Sequence, residues 1–356
     1  MDLYIYNPAI ELQGVVDGYR SLRWRRKYFE PGEFELHCPA TPENIKLLAP
    51  DNIVHRTDRS EAGIIEGTVI ESTENGDEMT VTGRMGSSML DRHVITPAVT
   101  FNGKTEEAMR KIVSDNCIAT RPIHHLSLGT FGGFTPMCAF QLLGKSVLTV
   151  CEKLSRAAAL GFRVRLDVPG KQWIFEVYSG ADRSVAQTTL PYVAFSDEYS
   201  NITGAKYSAD TTGSANYAYV AGEKETGSGD SKVKTPVCIT IDQTNGAPQR
   251  EIWVKADQQT SDESDDAYAA RLRQDGIDKL AGAAKSQVFE ASAINTENFA
   301  YLTDWDLGDI VTFEKWGIRL DQRVTEVEEV YENGVKTITP VCGNPLPEKL
   351  DFGSDD

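Results

Sequence analysis

Two stretches of this 356-residue chain repeat one pattern, and that pattern restricts the fold more than any other feature. The first is DNIVHRTDRSEAGIIEGTVIESTENGDEMTVTG, from Asp51; the second is GDIVTFEKWGIRLDQRVTEVEEVYENGVKTITPVCG, from Gly308. Each carries Ile-Val behind an acidic turn, Ile53-Val54 and Ile310-Val311, then runs through a Glu-bearing strand into Glu-Asn-Gly. Ile53 and Asn75 lie 75 − 53 = 22 positions apart; Ile310 and Asn333 lie 333 − 310 = 23 apart. Asn-Gly between alternating apolar and polar residues marks a hairpin, because a type I′ turn needs two positive φ angles. The spacing predicts a duplicated β-unit, with segments 51–83 and 308–343 folding alike. Asn75, Gly76, Asn333 and Gly334 are expected at positive φ.

The second copy is crowded with carboxylates. On a strand, Glu326 and Glu328 share one face while Val327, Glu329 and Tyr331 share the other. Carboxylates so numerous and sequential read as a solvated sheet face. Paired catalytic acids come from different elements and need an apolar pocket. DWDLGD resembles the start of a calcium loop, but counting from Asp304 puts Gly308 at position 5, Asp309 at 6 and Lys315 at 12. That breaks the ligand pattern, and a turn between strands is expected.

The rest of the chain shows where the period changes. In the first hundred residues, short alternating runs (LYIY, LRWRRKY, EFELH, IIEGTVIEST) are broken by Gly, Pro, Asn and Asp, as in strands. Only TPENIKLLA reads as a helical turn, with Thr41 as N-cap. KTEEAMRKIVSDN places Ala108, Met109, Ile112 and Val113 on one helical face. A second helix starts at Ser146, with Val147, Val150, Cys151, Leu154 and Ala158 inward and Gly161 as its C-cap glycine. A hairpin follows, pairing Phe162, Val164 and Leu166 with Trp173, Phe175 and Val177. Strands resume near 190; Glu223–Ser231 reads as an exposed polar linker. A later helix carries Ile277, Leu280, Ala281 and Ala284 as its apolar stripe, and the chain closes on the acidic tail DFGSDD. The fold class is α+β, mainly β. The domains are 1–99, completed by about 190–222; an inserted α/β domain at 100–189; and 223–356 with a helix at about 265–285.

Composition removes several functions. With 53 acidic against 36 basic residues the formal charge is −17, which argues against wrapping nucleic acid but allows a wall that DNA slides past. No apolar run approaches a membrane span and no signal peptide opens the chain. The six cysteines contain no CxxC, so reduced, mostly buried thiols and assembly in a cytoplasm are expected. AVTFNGKT (98–105) and AFQLLGKS (139–146) are relaxed phosphate-loop matches, but both lack the leading glycine and carry bulky residues where backbone N–H groups must converge. YRSLRWRRKYF interleaves cations with aromatics. On a strand Leu22, Trp24, Arg26 and Tyr28 share one side and Arg23, Arg25 and Lys27 the other, so pairing with an acidic neighbour is the better reading. His124-His125 stand without an HExxH or any spaced ligand set, and no GxSxG or Cys/His nucleophile occurs. No catalytic, cofactor-binding or metal residue is assigned, no cofactor is expected, and the chain is read as a non-enzyme.

Several segments together resemble one family: GYRSLRWRRKYFEPGEFELHCPA, GIIEGTVIE, VYSGADRS, FSDEYSNITGAKYS with NYAYVAGE, and DWDLGDIVTFEKWGIRLDQRVTEVEEVY. In this order, over most of the chain, they are similar to the siphovirus tail and baseplate hub proteins of Gram-positive phages and phage tail-like particles. The resemblance implies two tube-like antiparallel β-barrel domains with an α/β insertion. It implies a homotrimeric, pseudo-six-fold hub that joins the distal end of the tail tube, or a distal tail protein, to a tip, spike or fibre. DNA would pass through without specific binding, and the chain would belong to the virion tail, with no membrane insertion. The rival readings are a tail-associated cell-wall hydrolase or peptidase, and a host-attachment carbohydrate-binding protein using Trp305 and Trp316.

Overall fold

The computed structural model describes residues 2–74, 76–226, 233–259, 263–283, 286–293, 299–332 and 334–343. Strands dominate. The N-terminal region runs β1 (Leu3–Tyr6), β2 (Leu12–Val16), β3 (Ser21–Lys27), β4 (Glu33–Pro39), α1 (Pro42–Leu47), β5 (Ile53–His55), β6 (Gly63–Thr73) and β7 (Gly76–Met85). The middle holds β8 (Val99–Lys104), α2 (Thr105–Val113), β9 (Leu126–Leu128), β10 (Met137–Leu142), α3 (Val147–Ala158), β11 (Gly161–Asp167) and β12 (Gln172–Tyr178). Then come β13 (Ala194–Ser196), β14 (Ile202–Asp210), β15 (Tyr217–Thr226), β16 (Val233–Asp242), β17 (Glu251–Lys255) and α4 (Asp265–Gly282). The chain ends in β18 (Ser286–Ala293), β19 (Ile310–Lys315), β20 (Ile318–Glu332) and β21 (Val335–Gly343). Among the described residues no helix is long and apolar enough to cross a membrane.

The chain divides into two units. Unit 1 takes Met1–Lys206 and Phe289–Gly343; unit 2 takes Tyr207–Val288. The large sheet runs β14-β18-β21-β20-β3-β4-β7-β6-β5-β1-β2, with β19 joining β20 and β13 joining β19; all of it belongs to unit 1 except the ends of β14 and β18 that fall within 207–288. Alternation builds its core: Leu22, Trp24, Phe34, Leu36, Cys38, Met79 and Val81 all point inward from β3, β4 and β7. α1 closes one end of this core through Leu47, and its first turn is capped as expected, with Thr41 Oγ1 accepting from Asn44 N at 3.1 Å. The middle of the chain combines helices with short strands inside unit 1. Ala108, Met109, Ile112 and Val113 of α2 and Val147, Val150, Cys151 and Leu154 of α3 are buried. β11 and β12 pair as the anticipated hairpin, Gly161↔Tyr178 through Asp167↔Gln172, and β9 adds in parallel.

The large sheet contains the repeat. β5-β6-β7 and β19-β20-β21 are both antiparallel meanders. In the first, one extra residue, Glu66, bulges between the pairs Ile65↔Gly83 and Gly67↔Thr82. In the second, Thr325 bulges between Val324↔Cys342 and Glu326↔Val341. Seven paired positions then lead to each tip, Gly67–Thr73 and Glu326–Glu332. Ile53 lies opposite Ile64 and Ile310 opposite Arg323, each two residues before the bulge. Aligned in this way, the Glu-Asn-Gly triplets are offset by one: the last pairs before the tips are Thr73↔Gly76 and Glu332↔Val335. Gly76 and Gly334 have positive φ, +108° and +78°; Asn75 and Asn333 lie outside the described residues. The likeness extends to the flanking strands. β3-β4 precede one meander and β14-β18 the other, so the order β14-β18-β21-β20 is followed in the same sheet by β3-β4-β7-β6.

Unit 2 is a three-stranded sheet, β16-β15-β17, backed by α4. Three expectations change here and in α3. Glu223–Thr226 is not linker but the end of β15, paired Glu223↔Pro236 to Thr226↔Val233; a polar run can be a strand when backbone pairing is available, and this one spans the expected domain edge at 223. The rest of the expected linker and the acidic tail lie outside the described residues. The buried stripe of α4 is Tyr268, Leu272 and Leu280, spaced by multiples of four, with Gly276 between; of the expected stripe Leu280 is buried, Ile277 is exposed, and Ala284 lies outside the described residues. Gly161 does not cap α3. Ala159 takes the left-handed turn (φ 53°), and Gly161 opens β11, where a Cβ would stand 2.4 Å from the Tyr28 ring.

Candidate functional site: a charged sheet face, a buried ionic clamp and an open edge

The open face of β3 answers the question raised by YRSLRWRRKYF. β3 lies between two acidic strands: Arg25 is opposite Glu33 on β4 and opposite Glu328 on β20. Its guanidinium donates to Glu33 Oε1 (3.0 Å) and Glu328 Oε1 (2.8 Å), while Arg23 reaches Glu328 at 3.3 Å and Lys27 reaches Glu30 at 3.0 Å. The basic strip is thus spent on its own neighbours, and Leu22, Trp24, Arg26 and Tyr28 face inward as alternation requires.

The inward face holds what periodicity does not show. Alternation correctly sets Glu329 beside Val327 and Tyr331, but Glu329 is not solvated: it is fully buried. Arg56 and Arg59, from the loop between β5 and β6, converge on it. Arg59 Nε donates to Glu329 Oε1 at 2.8 Å, Arg59 Nη2 contacts Oε2, and Arg56 Nη1 and Nη2 donate at 3.3 Å each. Lys336 Nζ and the Tyr331 hydroxyl complete the shell at 2.9 and 2.8 Å. Arg56 itself lies between the Trp24 and Tyr331 rings, 5.4 and 5.0 Å from their centroids. Burial alone would push the Glu329 carboxyl up, but Arg56, Arg59 and Lys336 outweigh it and hold the carboxyl at about 2. A second buried pair repeats the logic. Arg26 donates to Glu61 (3.1 and 3.0 Å), to Asp306 (2.7 Å) and to the Tyr301 hydroxyl (2.7 Å). Glu61 is also held below the ordinary carboxylate range, its desolvation outweighed by Arg26 and Arg163. The first cluster ties the β5–β6 loop to β20 of the second copy; the second ties it to β3 and, through Arg26, to Tyr301 and Asp306 just before that copy.

The remaining motifs resolve into structure. Every carboxylate of DWDLGD accepts from N–H groups: Asp304 from Ala300 N (2.6 Å), Asp306 from Leu307 N (2.7 Å) and Arg26, Asp309 from Ala181 N (2.7 Å), Asp306 N and Arg183. Among the described residues no group of three His, Cys, Asp or Glu side chains could hold a metal. The two phosphate-loop look-alikes are strands β8 and β10 leading toward α2 and α3, with Ser146 capping α3. His124 borders a cleft of about 400 Å³ with His93, Trp173 and the ion pair Arg92–Asp51 (3.2 Å). Trp305 is buried among Phe195, Phe299 and Tyr301, whereas Trp316 forms the exposed tip of the β19–β20 turn.

The edge of β6 is the last feature. Its lower end pairs with β5 through Ile64 and Gly63, but among the described residues no strand pairs with Gly67–Thr73 on the side away from β7. Val69 and Ile70 there are 54% and 50% exposed. In the second copy the matching stretch, Glu326–Glu332, is occupied on that side by β3. Two consecutive apolar residues in a strand were the available signal; only the repeat shows which side lacks a partner.

A duplicated, mainly β chain with buried ion pairs, in which the Gly67–Thr73 stretch of one copy lacks among the described residues the strand that its counterpart has, has the architecture of a phage-tail structural protein. Solved structures share it. The 43 kDa tail protein of prophage MuSo2 from Shewanella oneidensis aligns with a TM-score of 0.62 at 11% identity, over 98% of this chain and 100% of that one. Prophage tail protein gp18 from Listeria monocytogenes EGD-e aligns at 0.60 and 12%, over 97% and 95%. A chain of the half-lidded Francisella PdpA–VgrG complex aligns at 0.52 and 10%, over 99% of this chain and 60% of that longer one. No curated protein sequence matches. The chain belongs to the family of siphovirus ReqiPepy6 Gp37-like proteins, which matches residues 2–344.

Proposed function

We propose that three copies of this chain close into a pseudo-six-fold ring that joins the distal end of a tail tube to the tail tip or spike. The open edge of β6 is the observation that carries this reading. Within the chain, the second module's β20 receives β3, the first strand of the other module. The edge of β6 equivalent to that of β20 has no partner among the described residues, and β14, the strand equivalent to β3, stands at the other end of the sheet. Pairing β14 of one protomer with β6 of the next repeats the internal joint between chains. Four strands per module, two modules per chain and three chains then close a barrel of 24 strands. Closure removes the edge, which is otherwise a template for aggregation. Six quasi-equivalent modules match a six-fold tube on one side, while three-fold symmetry remains for a spike on the other. The work is structural, DNA passes through without specific binding, and the ring belongs to the virion tail.

Mass measurement of the purified chain tests this. A trimer of three 39.2 kDa chains, near 118 kDa, is expected, with addition of its tube protein giving a larger complex. A monomer at all concentrations, with and without that tube protein, overturns it.

A further inference from the structure

Unit 2 carries a feature that ring assembly does not use. α4 covers one face of its sheet through Ala218, Val220, Val254, Tyr268, Leu272 and Leu280. The helix lies close: a Cβ on Gly222 would stand 2.0 Å from the Tyr268 hydroxyl, and one on Gly276 2.6 Å from Ile241. That backing makes the other face a firm platform. Register places Tyr219 beside Trp253 on β17 and Thr240 on β16, and Tyr217 beside Glu251 and Asp242. The Tyr217 and Tyr219 rings are 5.2 Å apart, and Trp253 is 65% exposed.

We propose that this aromatic face binds a neutral polysaccharide strand. Three rings in adjacent positions on a pleated surface offer successive stacking faces to the C–H faces of successive pyranose rings. Their surroundings include hydrogen-bonding groups, Thr240, Glu251 and Lys255, which suit hydroxyls; the apolar neighbours among the described residues, Ala221, Cys238 and Pro236, are small and form no ridge of large aliphatic side chains of the kind that anchors a protein partner. A stacked nucleic acid is disfavoured by charge, because Asp242, Glu251 and Glu223 outnumber Lys255 and Lys234 on this face. Ring assembly is not required for the binding, so its test is independent.

Titration calorimetry of the full chain with cellohexaose and with chitohexaose checks the proposal. Saturable binding of at least one oligomer is expected. Trp253→Ala should weaken it about tenfold or more, while Tyr219→Phe, which keeps the ring, retains it. Trp316→Ala, at the exposed turn of unit 1, should leave it unchanged. Because Trp253 is solvent-exposed, its replacement leaves the fold intact, which circular dichroism verifies. No heat with either oligomer, binding insensitive to Trp253→Ala, or tighter binding of an oligo(dT) strand overturns the proposal.

Discussion

Glu329 has no solvent to stabilise its charge, so its cations must do so. Its carboxyl titrates near 2 in the folded chain against 4.5 ordinarily. A folded value below the unfolded one means the stabilisation is complete above about pH 4.5 and is lost as pH falls toward 2, a total on the order of 3 kcal/mol. Glu61, also depressed, adds to the loss in the same direction. Glu329→Gln should therefore cost about 3 kcal/mol at pH 7, since it leaves Arg56 and Arg59 buried beside a neutral group. It should also flatten the acid limb of the stability curve. Urea denaturation at pH 7 and pH 3 measures both; an unchanged midpoint at pH 7 would show the clamp to be dispensable. Alternation locates Glu329 on the core side of its strand. What it faces is not legible in the sequence, because Arg56 and Arg59 lie some 270 residues away.

At the scale of elements, hairpin tips are the most legible features and their exact register the least. Gly334 sits at φ +78°, and a Cβ there would have nothing within 4 Å, so a side chain meets backbone strain alone. Gly334→Val should cost about 1–2 kcal/mol by urea denaturation, and Gly334→Asn less, because Asn tolerates the left-handed region. Equal stability of the Val variant would contradict a positive φ. The repeated Glu-Asn-Gly locates both hairpins, yet the bulges at Glu66 and Thr325, not the triplets, set the common register. A bulge leaves no local signature, since it depends on which strand lies opposite. Gly161 shows the same limit: its position after α3 suggests a cap, but the Tyr28 ring, more than a hundred residues earlier, is what excludes a side chain.

For the whole molecule, the proposed ring turns on the edge of β6 that is unpaired among the described residues. Val69→Lys with Ile70→Lys places two cations on a half-exposed stretch, so the protomer should fold with little change in stability. The same charges should oppose strand addition and hold the chain at 39.2 kDa in light scattering, where the proposed ring gives a trimer for the unsubstituted chain. A double variant that still trimerises would move the interface elsewhere. Sequence by itself determined the strand periods, the helices α1 to α4, the duplication and the pairing of the basic strand with acidic partners, because each rests on local alternation or short spacing. Only the tertiary structure decided that Glu329 is buried, that both modules share one sheet, and that the edge of β6 lacks, among the described residues, the partner its counterpart has. Those depend on contacts between residues far apart in the chain, where periodicity names the face of a strand but not what comes to cover it.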